Sequence, residues 1–126
     1  MRLLLDTHVI IWGLEEPRRI PRAVALAMGA PENEVLVSVV SLWEIAIKTR
    51  LGKLDAPADL PKVIERRGDY RILPISAAHA WRVRVLPALH HDPFDQLLIA
   101  QALIEDMTIV THDRWIAQYA VPNLPV

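Results

Sequence analysis

Four acidic residues, Asp6, Glu44, Asp95 and Asp113, stand where apolar runs give way to helix-like segments. Asp6 ends the run Met1-Arg2-Leu3-Leu4-Leu5, and Asp113 follows Thr108-Ile109-Val110-Thr111. In an open α/β sheet, such strand ends are where ligands gather. Carboxylates drawn together raise one another's pKa, so a cluster without a counter-charge is costly. A hard divalent cation with oxygen ligands, Mg²⁺ or Mn²⁺, removes that cost and suggests phosphodiester chemistry. The quartet is then expected to stay ionised and ready to receive the ion.

Each acid also has a purely structural use. Asp6 can help Thr7 cap the helix that follows. Ser41-x-x-Glu44 reads as a capping box, and Lys48 lies one helical turn beyond Glu44, where it can pair with it. Asp113 can shape a turn after Thr111-His112. Asp95 is harder to explain that way. On a helix it shares a face with Leu98, Ile99 and Ala102, so its carboxylate projects from the apolar side and needs a partner or a metal. Asp92, before Pro93, is a natural N-cap or an outer ligand. Asp55, Asp59, Asp69 and Asp106 read as turn, cap or solvent-facing residues.

Other chemistries find little support. The chain has no cysteine, which excludes disulfides and thiolate nucleophiles and fits a reducing, cytoplasmic setting. Its five histidines include no helical pair spaced for zinc. Neither a nucleophile elbow nor a glycine-rich phosphate loop is present. The four tryptophans, Trp12, Trp43, Trp81 and Trp115, fall at helical positions, where core packing is expected first and partner contact second.

The elements that must carry these residues follow from the apolar pattern. At 126 residues, with 52% hydrophobic and 23% charged residues, the chain is long and apolar enough for one globular domain spanning 1–126. No apolar run reaches bilayer length and no signal peptide is expected. Strands are expected at 2–5, 35–39, 71–74 and 108–111, with a loop or edge strand at 122–126. Helices are expected over about 8–15, 21–29, 41–50, 60–68, 76–85, 93–106 and 112–118. That alternation predicts a parallel sheet layered by helices. The net charge of −1 gives no global argument for nucleic acid. The central third, however, is basic (Lys48, Arg50, Lys53, Lys62, Arg66, Arg67, Arg71) and would suit a polyanion gripped beside an acidic centre. Solvated helix faces explain it equally well.

Taken in order, Leu3-Leu4-Leu5-Asp6-Thr7-His8, Ser38-x-x-Ser41-x-x-Glu44-Ile45, Asp92-Pro93-Phe94-Asp95 with Leu98-Ile99-Ala100-Gln101-Ala102, and Val110-Thr111-His112-Asp113 resemble the signature blocks of PIN-domain nucleases. They look most like the VapC toxins of bacterial toxin–antitoxin pairs. The resemblance implies a three-layer α/β/α domain with a central, mostly parallel sheet, and Mg²⁺- or Mn²⁺-dependent hydrolysis of RNA. It also implies a homodimer held inactive by a cognate antitoxin. By position Asp6, Glu44, Asp95 and Asp113 match the family's acidic quartet. Asp6 and Asp95 would hold the ion directly, Glu44 and Asp113 through water or a second ion. Thr7, Ser41 and Asp92 match accessory positions. Two other readings remain: an Mg²⁺-dependent domain with an aspartyl phosphoryl-transfer nucleophile, and a non-catalytic module that only binds a partner.

Overall fold

A computed structural model describes all of residues 1–126 and carries five strands, β1 (Arg2–Leu5), β2 (Glu34–Ser38), β3 (Tyr70–Leu73), β4 (Thr108–Thr111) and β5 (Asn123–Pro125). They form one sheet in the order β3-β2-β1-β4-β5, and every pairing is parallel. The chain therefore starts at the centre, builds outward through β2 and β3, then crosses back to add β4 and β5 on the other side. That reversal at β1 and β4 is the topological switch point at which open α/β sheets form their sites.

Six α-helices connect the strands: α1 (Thr7–Glu15), α2 (Arg22–Gly29), α3 (Val39–Arg50), α4 (Leu60–Arg67), α5 (Ala77–Arg82) and α6 (Pro93–Glu105). Alternate residues of each central strand serve opposite layers. Leu3, Leu5, Val35, Val37 and Val110 pack with α1, α2 and α4 on one face. Leu4, Leu36 and Ile109 pack on the other with Leu98, Ile99 and Ala102 of α6. Continuous apolar runs in the strands follow from this burial on both sides. Helix α3 joins the layers, giving Val40 to one core and Ile45 to the other. Gly13 is needed where α1 approaches β3, since a Cβ there would lie 2.8 Å from the Tyr70 hydroxyl. The three-layer α/β/α architecture is as expected, and no helix is long and apolar enough to cross a membrane.

Several local expectations are overturned. Helix α3 begins at Val39, with Ser38 as N-cap accepting from the Val40 amide, so Ser41 lies inside the helix and forms no capping box with Glu44. Val39-Val40 extends the β-branched run of β2, which disguised the boundary. Asp6, not Thr7, caps α1. The helix expected over 112–118 shrinks to a 3₁₀ turn at Ile116–Gln118. Of the tryptophans only Trp12 is core; Trp43, Trp81 and Trp115 are 53%, 68% and 42% exposed, with Trp43 packed edge-on against Phe94.

Candidate active site

Asp6 ties the two central strands together at their carboxyl ends. Its amide extends the ladder to the Val110 carbonyl, and its Oδ1 accepts the Val9 amide as the α1 cap. Its Oδ2 accepts the Thr111 hydroxyl at 2.5 Å and the His112 amide at 3.1 Å. Thr111 in turn accepts the Asp113 amide, so one hydroxyl fixes the positions of two acids. The sequence reading passed over Thr111. Its signal was a hydroxyl residue at the inward end of a buried strand, two positions before an acid.

Glu44 is buried at 4% exposure, on the side of α3 that meets α1. Its Oε1 accepts the Thr7 hydroxyl and its Oε2 the Lys48 ammonium, both at 2.6 Å. The hydrogen bond to Glu44 is the main reason the Lys48 pKa is raised, with the charges of Glu44, Asp92 and Asp95 adding to it. The foreseen pairing of Glu44 with Lys48 is thus present. The nearby Ser41 hydroxyl is the one buried side-chain polar atom without a partner.

Asp95 stands in the first turn of α6, whose N-cap Asp92 accepts the amides of Phe94 and Asp95 through Oδ1. Burial raises the Asp95 pKa to about 8, helped by the charges of Asp92, Asp113, Glu44 and Asp6 in that order. All the acids singled out in the sequence therefore act on one carboxyl. The expectation of a fully ionised quartet is corrected: at neutral pH Asp95 keeps its proton, because desolvation and four neighbouring acids oppose its ionisation.

A second group missed in the sequence is His90. Its Nε2 lies 3.2 Å from Asp95 Oδ2 and its Nδ1 2.9 Å from the Tyr119 hydroxyl, while its ring stacks on Trp115 at 6.1 Å and 7°. With Tyr119 donating to Nδ1, the tautomer that satisfies both contacts points Nε2–H at Asp95. Asp113 is half-buried and its Oδ1 accepts the Trp115 amide at 2.7 Å, which is the turn role considered for it.

Behind the site runs a polar chain that no local pattern announced. Ser38 donates to Gln101 Oε1 at 2.5 Å, and Gln101 Nε2 reaches the Pro74 carbonyl and His79 Nδ1. His79 Nε2 then meets Glu105 at 2.9 Å. This chain locks α3, which carries Glu44, to α6, which carries Asp95.

The donor set suits a hard cation. It is made of carboxylate oxygens, and one acid, Asp95, is held protonated by burial and by the charges of its acidic neighbours. As the side chains stand, no three acid or imidazole groups converge on one ion. The bonds above explain why: Asp6 and Glu44 have both oxygens occupied by protein donors, and Asp95 has a protein partner only at Oδ2.

Comparisons with known proteins agree with this architecture. The family model described as PIN domain matches residues 3–122. Ribonuclease VapC22 of Mycobacterium tuberculosis is 26% identical over 123 residues, covering 96% of this chain and 94% of that protein. Among solved structures, VapBC2 from Rickettsia felis bound to a promoter DNA fragment superposes with a TM-score of 0.74 at 18% identity, covering 99% of this chain and 98% of that one. DNA-bound VapBC from Salmonella typhimurium gives 0.72 at 17% identity with the same coverage.

Proposed function

This chain belongs to the PIN-domain family, and from that premise we propose that it is a metal-dependent endoribonuclease, the toxin of a toxin–antitoxin pair. The observation that carries the reading is the Asp95 carboxyl, buried among four other acids and pushed up to about 8. Such a site is poor in positive charge until a cation enters.

Asp95, through its unbonded Oδ1, and Asp6 would hold Mg²⁺ or Mn²⁺ directly, with Asp113 and Glu44 acting through water or a second ion. When bound, the ion supplies Lewis-acid activation of the phosphoryl oxygen and eases ionisation of the attacking water. The rest is the protein's work. Thr111 and the His112 amide orient Asp6, and Thr7 orients Glu44. Lys48 neutralises Glu44 and leaves the remaining acids to the cation. His90 holds Asp95 by Oδ2, leaving Oδ1 to face the site. An aspartyl nucleophile has less support, since that chemistry expects paired acids at the end of the first strand, where Asp6 is followed by Thr7 and His8.

We assign the partners at the same level. An antitoxin that covers the acidic site is the expected regulator, and basic groups suit that site. A homodimer would bury some of the exposed apolar surface, to which Trp43, Trp81, Leu51 and Val85 contribute. Incubating the purified protein with total RNA and Mg²⁺ or Mn²⁺ tests the central claim. Cleavage should disappear in EDTA and in Asp6→Asn, with the circular dichroism of that variant unchanged. Full activity in either case would sink the proposal.

A further inference from the structure

Five of the seven basic residues of the central third divide between surface ion pairs and a cleft. Arg66, Arg67 and Arg71 are spent on surface pairs with Asp59, Asp69 and Glu34. Lys53, which has no ion pair, and Lys48, which is paired with Glu44, face a cleft of about 420 Å³ that opens beside Thr7 and Glu44, between α1 and the carboxyl end of α3. Arg19 lines the same cleft, with its guanidinium 4.2 Å from the centre of the Trp12 ring. Glu16 pairs with Arg19 at 3.4 Å and Glu44 with Lys48 at 2.6 Å, so Lys53 supplies the unpaired positive charge of the cleft, beside a negative site.

Local structure builds this arrangement. Helix α3 ends in a Schellman turn: the Gly52 amide bonds the Thr49 carbonyl and the Lys53 amide the Lys48 carbonyl. Gly52 takes φ +72°, a conformation that favours glycine. The turn folds the chain back so that Lys53, exposed and free of any ion pair, stands over the last turn of the helix that carries Glu44 and Lys48. Ile11 and Leu54 add apolar wall, while the exposed His8 ring and the Arg19 guanidinium, which lies over the buried Trp12 ring, offer flat surfaces. The volume falls within the range of small-ligand sites.

We propose that this cleft is a nucleotide subsite of the nuclease. It would receive one unstacked nucleotide of a single-stranded RNA next to the scissile bond, with phosphate at Lys53 and Lys48 and base against the planar wall. The inference rests on the nuclease reading of the adjoining acids and adds where the flanking strand lies. A positive groove with planar side chains is the usual chemistry of sequence-tolerant single-strand binding. Lys48 is the link, since it pairs with Glu44 on one side and lines the cleft on the other.

Fluorescence anisotropy with a fluorescein-labelled RNA octamer, in EDTA at low salt, reads binding without cleavage. Lys53→Gln should weaken affinity about fivefold, the effect of losing a strong exposed ion pair. It should also lower the slope of log affinity against log salt by about 1. Lys53→Arg should restore both, and Lys62→Gln, outside the cleft, should change neither. Unchanged octamer affinity in Lys53→Gln overturns the subsite. If the unaltered protein still cleaves RNA, the nuclease reading survives that result; a partner segment entering the cleft would also give this outcome. Weakened binding by Lys53→Gln in a protein that cleaves no RNA supports the subsite and overturns the hydrolysis instead.

Discussion

Replacing Asp95 with Asn should stabilise the metal-free protein and abolish its activity, and the size of the gain should depend on pH. The folded-state pKa of Asp95 is raised from 3.8 to about 8 by burial and by Asp92, Asp113, Glu44 and Asp6. Between those values the folded chain holds a proton that the unfolded chain releases, so stability falls as pH rises and levels off above about 8. Below 3.8 both states are protonated and nothing is lost. At pH 7 the penalty is on the order of 4 kcal/mol, taking about 1.4 kcal/mol per unit. Asn keeps the shape and a hydrogen bond to His90 without titrating. Thermal unfolding in EDTA should therefore show Asp95→Asn melting about 20 °C above the unaltered protein at pH 8, at about 4 °C per kcal/mol for a domain of this size. The two curves should converge near pH 4. Adding Mn²⁺ should stabilise the unaltered protein and leave Asp95→Asn nearly unmoved. A variant that melts at or below the parent at pH 8, or a difference independent of pH, would refute the reasoning.

The remaining expectations concern the scaffold. Lys48→Met strands the Glu44 carboxylate at 4% exposure and should cost about 1–3 kcal/mol in urea unfolding. Adding Glu44→Gln should recover most of that loss, and failure to recover it would show that the pair is not coupled. Ser38→Ala removes the α3 cap and leaves Gln101 Oε1 without its donor, so a loss of about 1–3 kcal/mol is expected by the same measurement. Gly13→Ala drives a Cβ to 2.8 Å from the Tyr70 hydroxyl and should lower the melting temperature. Tyr70→Phe in that background should restore part of it, and an unchanged melting temperature in Gly13→Ala would mean that the Tyr70 side chain gives way freely.

The layers were legible because burial on both faces leaves a plain mark: runs such as Leu3-Leu4-Leu5 and Val35-Leu36-Val37 have no polar alternation. Asp95 was legible for a related reason, as a carboxylate on the apolar face of its helix. The start of α3 was not, since Ser38 and Ser41 both suit a cap and the valines between them favour a strand. Glu44 looked like half of a capping box, whereas its bonds reach Thr7, 37 positions away. The Ser38–Gln101–His79–Glu105 chain and the His90–Tyr119 contact join residues brought together only by tertiary packing, so no spacing rule could find them. The protonated state of Asp95 likewise depends on four neighbours drawn from separate parts of the chain.

The strand order has a consequence for how the protein is made. β1 precedes the other four strands in sequence yet lies at the middle of the sheet, and one of its two neighbours, β4, follows only after β2 and β3. The bond from Thr111 to Asp6 closes a loop 105 residues long. Such long-range pairing forms late, after its loop-closure entropy has been met. A nascent chain that has not reached Thr108 lacks Asp113, one of the two partner strands of β1 and the hydroxyl that orients Asp6. The acids of the site therefore come together only after β4 has been made and has docked on β1.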